Sequence, residues 1–250
     1  MLTPPLAAVV ALAQERRALA SLLGAPRAGR LGELRVTRGT LAGQSILLIQ
    51  AGIGAARAGR ASAGLLDWLP CVGVWSIGFA GGLESGLRRG DLVCADRVVW
   101  ETGDGRVERA GGAVEHMAAA LRGAGLRTHT GAVLTVGAPL RTAAAKRAAH
   151  ARTGAVAVEM EAAGVAEAAA ARGVPWAALK VVLDEVEDPL PELTARCTTP
   201  EGDLDLRGLG GLLVAGGGSV HALWRLGWAA AAARRTLRAG FRTAVAAASP

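Results

Sequence analysis

Two carboxyls flank a methionine in Val158-Glu159-Met160-Glu161-Ala162, where a short apolar run gives way to a helical pattern. Charge at a strand end is costly unless something polar meets it there. Glu161, at the helix start, could accept hydrogen bonds from the neutral hydroxyls of a sugar, with Met160 as an apolar surface beside it. An ordinary helix-start acid, favoured by the positive end of the helix dipole, would look the same. A third carboxyl, Asp184, ends the apolar run 179–183, and a fourth, Glu15, follows the first apolar run. Four acids at loops on one sheet edge are harder to assign to helix ends than any one of them alone.

Two glycine-rich turns accompany them. Gly78-Phe79-Ala80-Gly81-Gly82 follows a buried run and would let a ligand approach the backbone closely; a sharp crossover turn accounts for the same residues. Gly52-Ile53-Gly54 opens a helical pattern, but Arg57 stands where a dinucleotide fingerprint needs its third glycine. A tight turn with close helix packing is the alternative there. His116, His129, His150 and His221 show no paired-ligand spacing, so no metal is expected.

The elements that must carry these residues alternate. Runs 6–12, 71–77, 91–100, 131–136, 155–158 and 176–183 read as strands, with a small meander over 33–50. Stretches 14–23, 55–66, 113–121, 142–152 and 160–172 read as helices. Such interleaving implies an α/β fold, a mixed, mostly parallel sheet covered on both faces. Ligands then collect at the carboxyl ends of strands, where Glu15, Gln50–Gly54, Gly78–Gly82 and Asp184 fall.

Composition narrows the class. The chain has 250 residues, 51% hydrophobic, enough for a sizeable core and too apolar for disorder. Its apolar runs are too short to span a bilayer. Cys71, Cys94 and Cys197 are odd in number and widely spaced, as in a reduced cytoplasmic protein. The run 6–13 ends in A-L-A and mimics a secretory leader, but no basic residue precedes it and a buried strand explains it equally. The net charge is +7, and six of those charges lie beyond Asp205, after which no acid occurs. Of 28 lysines and arginines only Lys146 and Lys180 are lysine, the arginine bias of a GC-rich genome. With no recognition motif beside the charge, nucleic acid is not an expected partner.

The motifs A-L-A-Q-E (11–15), A-G-I-G (51–54), G-F-A-G-G-L with G-D-L-V (78–83, 90–93), V-E-M-E-A (158–162) and V-V-L-D (181–184) share order and spacing with a known family. Over residues 6–190 the chain resembles the purine nucleoside phosphorylase and methylthioadenosine/S-adenosylhomocysteine nucleosidase superfamily. T-G-A-V-A-V-E-M-E (153–161), L-P (190–191), P-E-G-D-L-D-L (200–206) and the basic tail resemble its hopanoid-biosynthesis branch. That branch is implicated in removing adenine from adenosylhopane. The resemblance implies a three-layer α/β/α sandwich in a catalytic domain, 1–205, with 206–250 a Gly-rich segment and basic C-terminal helix of the same domain.

It also implies roles. Asp184 matches the general acid toward purine N7, Glu161 the carboxylate on the ribose hydroxyls, Met160 a sugar-packing residue and Glu159 a neighbouring site acid. Glu15 matches the carboxylate that activates water. Phe79, Ala80 and Gly81 fall in the site loop and Ile53 beside the 5′ substituent. Phe79 replaces a small hydroxyl residue, which would suit an apolar 5′ group or simple packing. The G-D-P-x-R phosphate motif is absent and Glu15 would repel phosphate, so hydrolysis is favoured, with a phosphate-dependent phosphorylase or a catalytically silent nucleoside- or lipid-binding relative as the alternatives. The purine loop is expected at 137–142. No cofactor is implied, phosphate being a cosubstrate only if the enzyme is a phosphorylase. Relatives commonly form homodimers or larger assemblies, with Trp68, Trp75 or the tail as candidate contacts here.

The tail has its own pattern. Ser219 can cap a helix on which Arg234, Arg238 and Arg242 share one face and Leu237, Phe241 and Val245 another, with Trp224 and Trp228 one turn apart. Such a helix could lie on the inner face of an anionic membrane, near a lipid-linked substrate, or pack across the sheet with its arginines outward.

Overall fold

The computed structural model of the chain describes residues 4–102, 105–112, 114–188, 199, 201–203 and 220–248, the last stretch with side chains from 231 onward. The strands are β1 (Leu6–Val10), β2 (Gly24–Leu31), β3 (Leu34–Leu41), β4 (Gln44–Gln50), β5 (Gly73–Gly82), β6 (Leu92–Thr102), β7 (Gly105–Ala110), β8 (Thr128–Thr135), β9 (Ala157–Glu159) and β10 (Trp176–Asp184). The helices are α1 (Ala13–Ala20), α2 (Ala55–Trp68), α3 (Val114–Gly123), α4 (Ala143–Thr153), α5 (Ala162–Ala170) and α6 (Val220–Ala248).

All these strands join one mixed sheet in the order β10-β6-β8-β9-β5-β1-β4-β3-β2, with β7 on β6. Its centre, β4-β1-β5-β10, is parallel. Because β10 pairs both β5 and β6, the strands β5, β10, β6, β8 and β9 close into a ring. The alternating apolar pattern does not announce that closure, since it depends on which strands meet at the sheet's far edge.

Side-chain alternation sorts the core into layers. Ala7, Val9, Leu47 and Ile49 face α2 and α5, while Leu6, Ala8, Ile46 and Leu48 face Leu19 of α1, Met117 and Leu121 of α3, and Leu237 and Phe241 of α6. Thus α/β/α layering holds. The helices α2 and α5 touch backbone to backbone: a Cβ on Gly164 would stand 1.9 Å from the Ala55 carbonyl oxygen. β2 and β7 are the strands that hydrophobic patterning misses. Both are mostly exposed and owe their conformation to main-chain pairing with β3 and β6. The glycine segment 78–82 is no crossover turn but the last half of β5.

The second half of α6 packs on the sheet. Trp75 meets Phe241 edge-on at 6.4 Å, and Arg234 donates to the Gln14 side chain at 3.1 Å. Trp75 is therefore core rather than a candidate contact, whereas Trp68 is 82% exposed. Arg235, Arg238 and Arg242 form the outer face. Ser219, the segment 206–219, Leu190-Pro191 and Cys197 lie outside the described residues, as do the side chains of Trp224 and Trp228. Among the described residues no helix is long and apolar enough to cross a membrane.

The α2–α5 contact is easily tested. Gly164→Ala is expected to lower stability by about 1–3 kcal/mol through overpacking, read as a fall in the thermal midpoint. An unchanged midpoint would mean the helices can part without cost.

Candidate active site

Each of the four carboxyls sits at a strand end or in the helix start that follows one. Glu15 lies in the first turn of α1, directly after β1, and is 2% exposed. Its Oε2 accepts the N–H groups of Ala11 (3.1 Å) and Leu12 (2.8 Å), and its Oε1 that of Phe79 (3.0 Å). Burial pushes its pKa up to about 7, against the pull of those donors and of Lys180. Gly78 explains itself here, because a Cβ would stand 2.6 Å from Glu15 Oε1. The turn beneath Glu15 is buttressed by a piece of the 200–206 motif: Ala13 N–H donates to Gly202 O (2.8 Å), and Asp203 pairs with Arg35 (2.7 Å).

Glu159 closes β9 and is used up by the protein. Its Oε1 accepts the Thr135 hydroxyl (2.5 Å), and its Oε2 accepts the N–H groups of Glu161 (3.0 Å) and Ala162 (2.8 Å) and meets Lys180 Nζ at 2.8 Å. Four donors engage it, three of them on Oε2. The expected neighbouring site acid is thus an organiser of the α5 start. Glu161 caps α5 with its backbone and reaches across to α2, where Gly54 N–H donates to Oε1 at 2.9 Å. The Gly52-Ile53-Gly54 turn does offer an N–H to an anion, and the anion is internal. Burial, with Glu159 nearby, pushes the Glu161 pKa up to about 7. Met160 and Ile53 are half-buried beside it.

Asp184 ends β10 at a bulge opposite Gly81, where an added Cβ would come within 3.0 Å of Oδ2. Oδ2 is paired with Lys146 Nζ. Burial holds the Asp184 pKa above the ordinary value in spite of that cation. Gly78 and Gly81, three residues apart on β5, separate the Glu15 and Asp184 contacts by about 10 Å of extended strand. Ala80 lies buried between them, and Phe79 packs against the cluster that α6 covers.

Patterning overlooked the two cations that make this possible. Lys180 is buried in β10, donates to Ser76 Oγ at 2.9 Å and pairs with Glu159. Burial works against its charge, yet Glu159, Glu161 and Glu15 hold its pKa above the ordinary value. Lys146 is the other. A signal did exist: these are the only lysines in an arginine-rich chain. No cluster of His, Cys, Asp or Glu among the described residues is disposed to hold a metal ion.

Comparison with known proteins bears on this arrangement of strands and carboxyls. A model of the phosphorylase superfamily matches residues 5–199. The chain belongs to that superfamily. A 5′-methylthioadenosine/S-adenosylhomocysteine nucleosidase of Actinobacillus succinogenes is 33% identical over 96 residues, 38% of this chain and 42% of that relative's length. The fold of this superfamily member also matches solved structures. One is the nucleosidase of the same name from Neisseria meningitidis in complex with methylthio-immucillin-A (TM-score 0.75, 20% identity, 98% of this chain and 99% of that one). Another is futalosine hydrolase of Helicobacter pylori (TM-score 0.75, 15% identity, 97% of each chain).

Three carboxyls with raised pKa values, Glu15, Glu161 and Asp184, link pH to stability. Glu161 favours the protonated form when folded, so its contribution to stability is full below its ordinary value near 4.5 and is lost as pH rises through about 7. Glu161→Gln keeps an oxygen for Gly54 and cannot titrate. Its thermal midpoint is expected to fall less than that of the wild type between pH 4.5 and 8; parallel curves would refute the raised value.

Proposed function

We propose that the chain cleaves the N-glycosidic bond of a purine nucleoside bearing an apolar 5′ substituent, with water as the nucleophile. The observation that carries this is a buried Glu15 whose pKa is pushed up to about 7, packed from α1 against the same half of β5 that the buried acid Asp184 meets from β10. A base poised near neutrality can take a proton from water as it attacks. On this reading Asp184 gives its proton toward N7 of the departing purine, and Glu15 receives one from the water that adds to the sugar carbon. Glu161 accepts the ribose hydroxyls, favouring the positive charge that builds on the sugar. Met160 and Ile53 lie along the sugar.

The nucleosidase relative supports water over phosphate, as does the negative charge that Glu15 would present to phosphate. Phe79 packs against the apolar cluster that α6 covers and is only half-buried, so the part of its ring left open offers apolar surface to a 5′ group. Together with the motifs of the hopanoid branch this points to adenosylhopane, giving adenine and ribosylhopane. The arginine face of α6 then serves as a contact to an anionic membrane holding that lipid.

Two experiments test this. Purified protein is expected to release adenine from adenosylhopane at the same rate with and without phosphate, and Asp184→Asn to lose about 10²–10⁴-fold in kcat. Strict phosphate dependence would make the enzyme a phosphorylase, and full activity of Asp184→Asn would remove the acid assignment. For the membrane contact, deleting α6 would strip Leu237 and Phe241 from the core, so charge is the cleaner handle. Arg235, Arg238 and Arg242 changed together to Gln should weaken sedimentation with anionic vesicles while adenosine cleavage persists. Equal sedimentation would exclude that face.

A further inference from the structure

Asp184 is held unlike its neighbours. Glu15 is gripped by three main-chain N–H groups, Glu159 by four donors and Glu161 by Gly54 N–H. Asp184 instead meets one ammonium, Lys146 Nζ, through Oδ2; among the described residues nothing donates to Oδ1. Lys146 is 0% exposed, and its Nζ also donates to the carbonyl oxygens of Glu185 (2.6 Å) and Asp188 (3.0 Å). Three N–H bonds thus have three acceptors converging on one nitrogen.

A guanidinium cannot do this, because its donors are spread over a planar fork. That explains why lysine persists here, in a chain that otherwise takes its cations almost wholly as arginine. Lys146 also sits one helical turn after the 137–142 loop. Its N–H donates to Thr142 O at 3.0 Å, and the Thr142 side chain caps α4. One residue therefore ties that loop, through its main-chain N–H, to the turn after β10 and Asp184, through its ammonium.

We infer that Lys146 is the positioning residue of the acid: it grips Asp184 by Oδ2, presents Oδ1 to the leaving purine, and steadies the carboxylate left behind when the proton departs. The inference rests on the N-glycosidase reading. Only the Asp184 proton moves, to the purine. The charged groups facing Asp184 are Lys146 from α4, Asp188 from the turn after β10, and Arg89 from the loop before β6. Arg89 is itself engaged with Asp188 at 2.9 Å. Removing Lys146 leaves burial and Asp188 to raise the acid's pKa further, making it a weaker proton donor. The activity, which needs the protonated acid, then persists to higher pH at a lower rate.

The test is Lys146→Met, which keeps the stem and removes the charge. Its kcat should fall at least about tenfold with KM within about threefold, and the alkaline limb of the kcat profile should move up by about one pH unit or more. Lys146→Arg should not restore the wild-type profile. An unmoved limb, or an arginine variant equal to wild type, would overturn the inference. Lysine labelled at Nζ with ¹⁵N supplies a readout free of turnover, since only two side-chain resonances exist. One should shift in Asp184→Asn and the other in Glu159→Gln; no response to Asp184→Asn would also overturn it. If Lys146→Met does not fold, the wild-type Lys146 resonance must shift with the midpoint of the alkaline limb, and a different midpoint counts against it. A wild type that releases no purine from any nucleoside would defeat the N-glycosidase reading, while the resonances still judge the Lys146–Asp184 pairing.

Discussion

The buried ammonium of Lys180 is the interaction on which the rest of the site depends. Three glutamates within its field, Glu15, Glu159 and Glu161, are taken out of water at the end of a hydrophobic sheet. Unpaired, such groups would neutralise or unfold the site. Lys180 pairs with Glu159 directly and, together with the main-chain N–H groups on Glu15 and Glu161, lowers the proton affinity of those two against the burial that raises it. The pairing is possible because β10 lies beside β5 with Lys180 next to Gly78, on the strand whose Phe79 N–H holds Glu15.

Close approach is the second constraint. Carboxyls reach β5 only where it carries no side chain: Gly78 makes room for Glu15 and Gly81 for Asp184. The same economy of volume brings α2 and α5 together at Gly164, which sets Gly54 N–H within reach of Glu161. Glycines that read as a ligand loop and a nucleotide-type turn are both spent on internal carboxylates. They shape the site by holding its acids.

Much of this was legible along the chain. Glu15, Glu161 and Asp184 stand out as acids at the ends of apolar runs, and the alternation of runs and helical stretches implies the layered α/β fold. What patterning cannot see is pairing. β2 and β7 carry no apolar stripe and exist because β3 and β6 offer edges; Trp75 looks available until Phe241 covers it. Lys146 and Lys180 lie 34 residues apart in sequence and carry no motif, yet each holds a different member of the acid set.

The amino-acid sequence by itself determined the residue types, the strand ends that present the acids, and the family to which the motifs belong, because periodicity and spacing are local properties. Only the tertiary structure decided which acid keeps free valence. Glu159 is engaged by four donors, Glu15 and Glu161 are poised near neutrality, and Asp184 is gripped by one oxygen. The reason is electrostatic: a carboxyl's proton affinity is set by burial and by the charges and N–H groups around it. Those neighbours arrive from β8, β10, α2 and α4, distant in the chain, and meet only when the sheet closes.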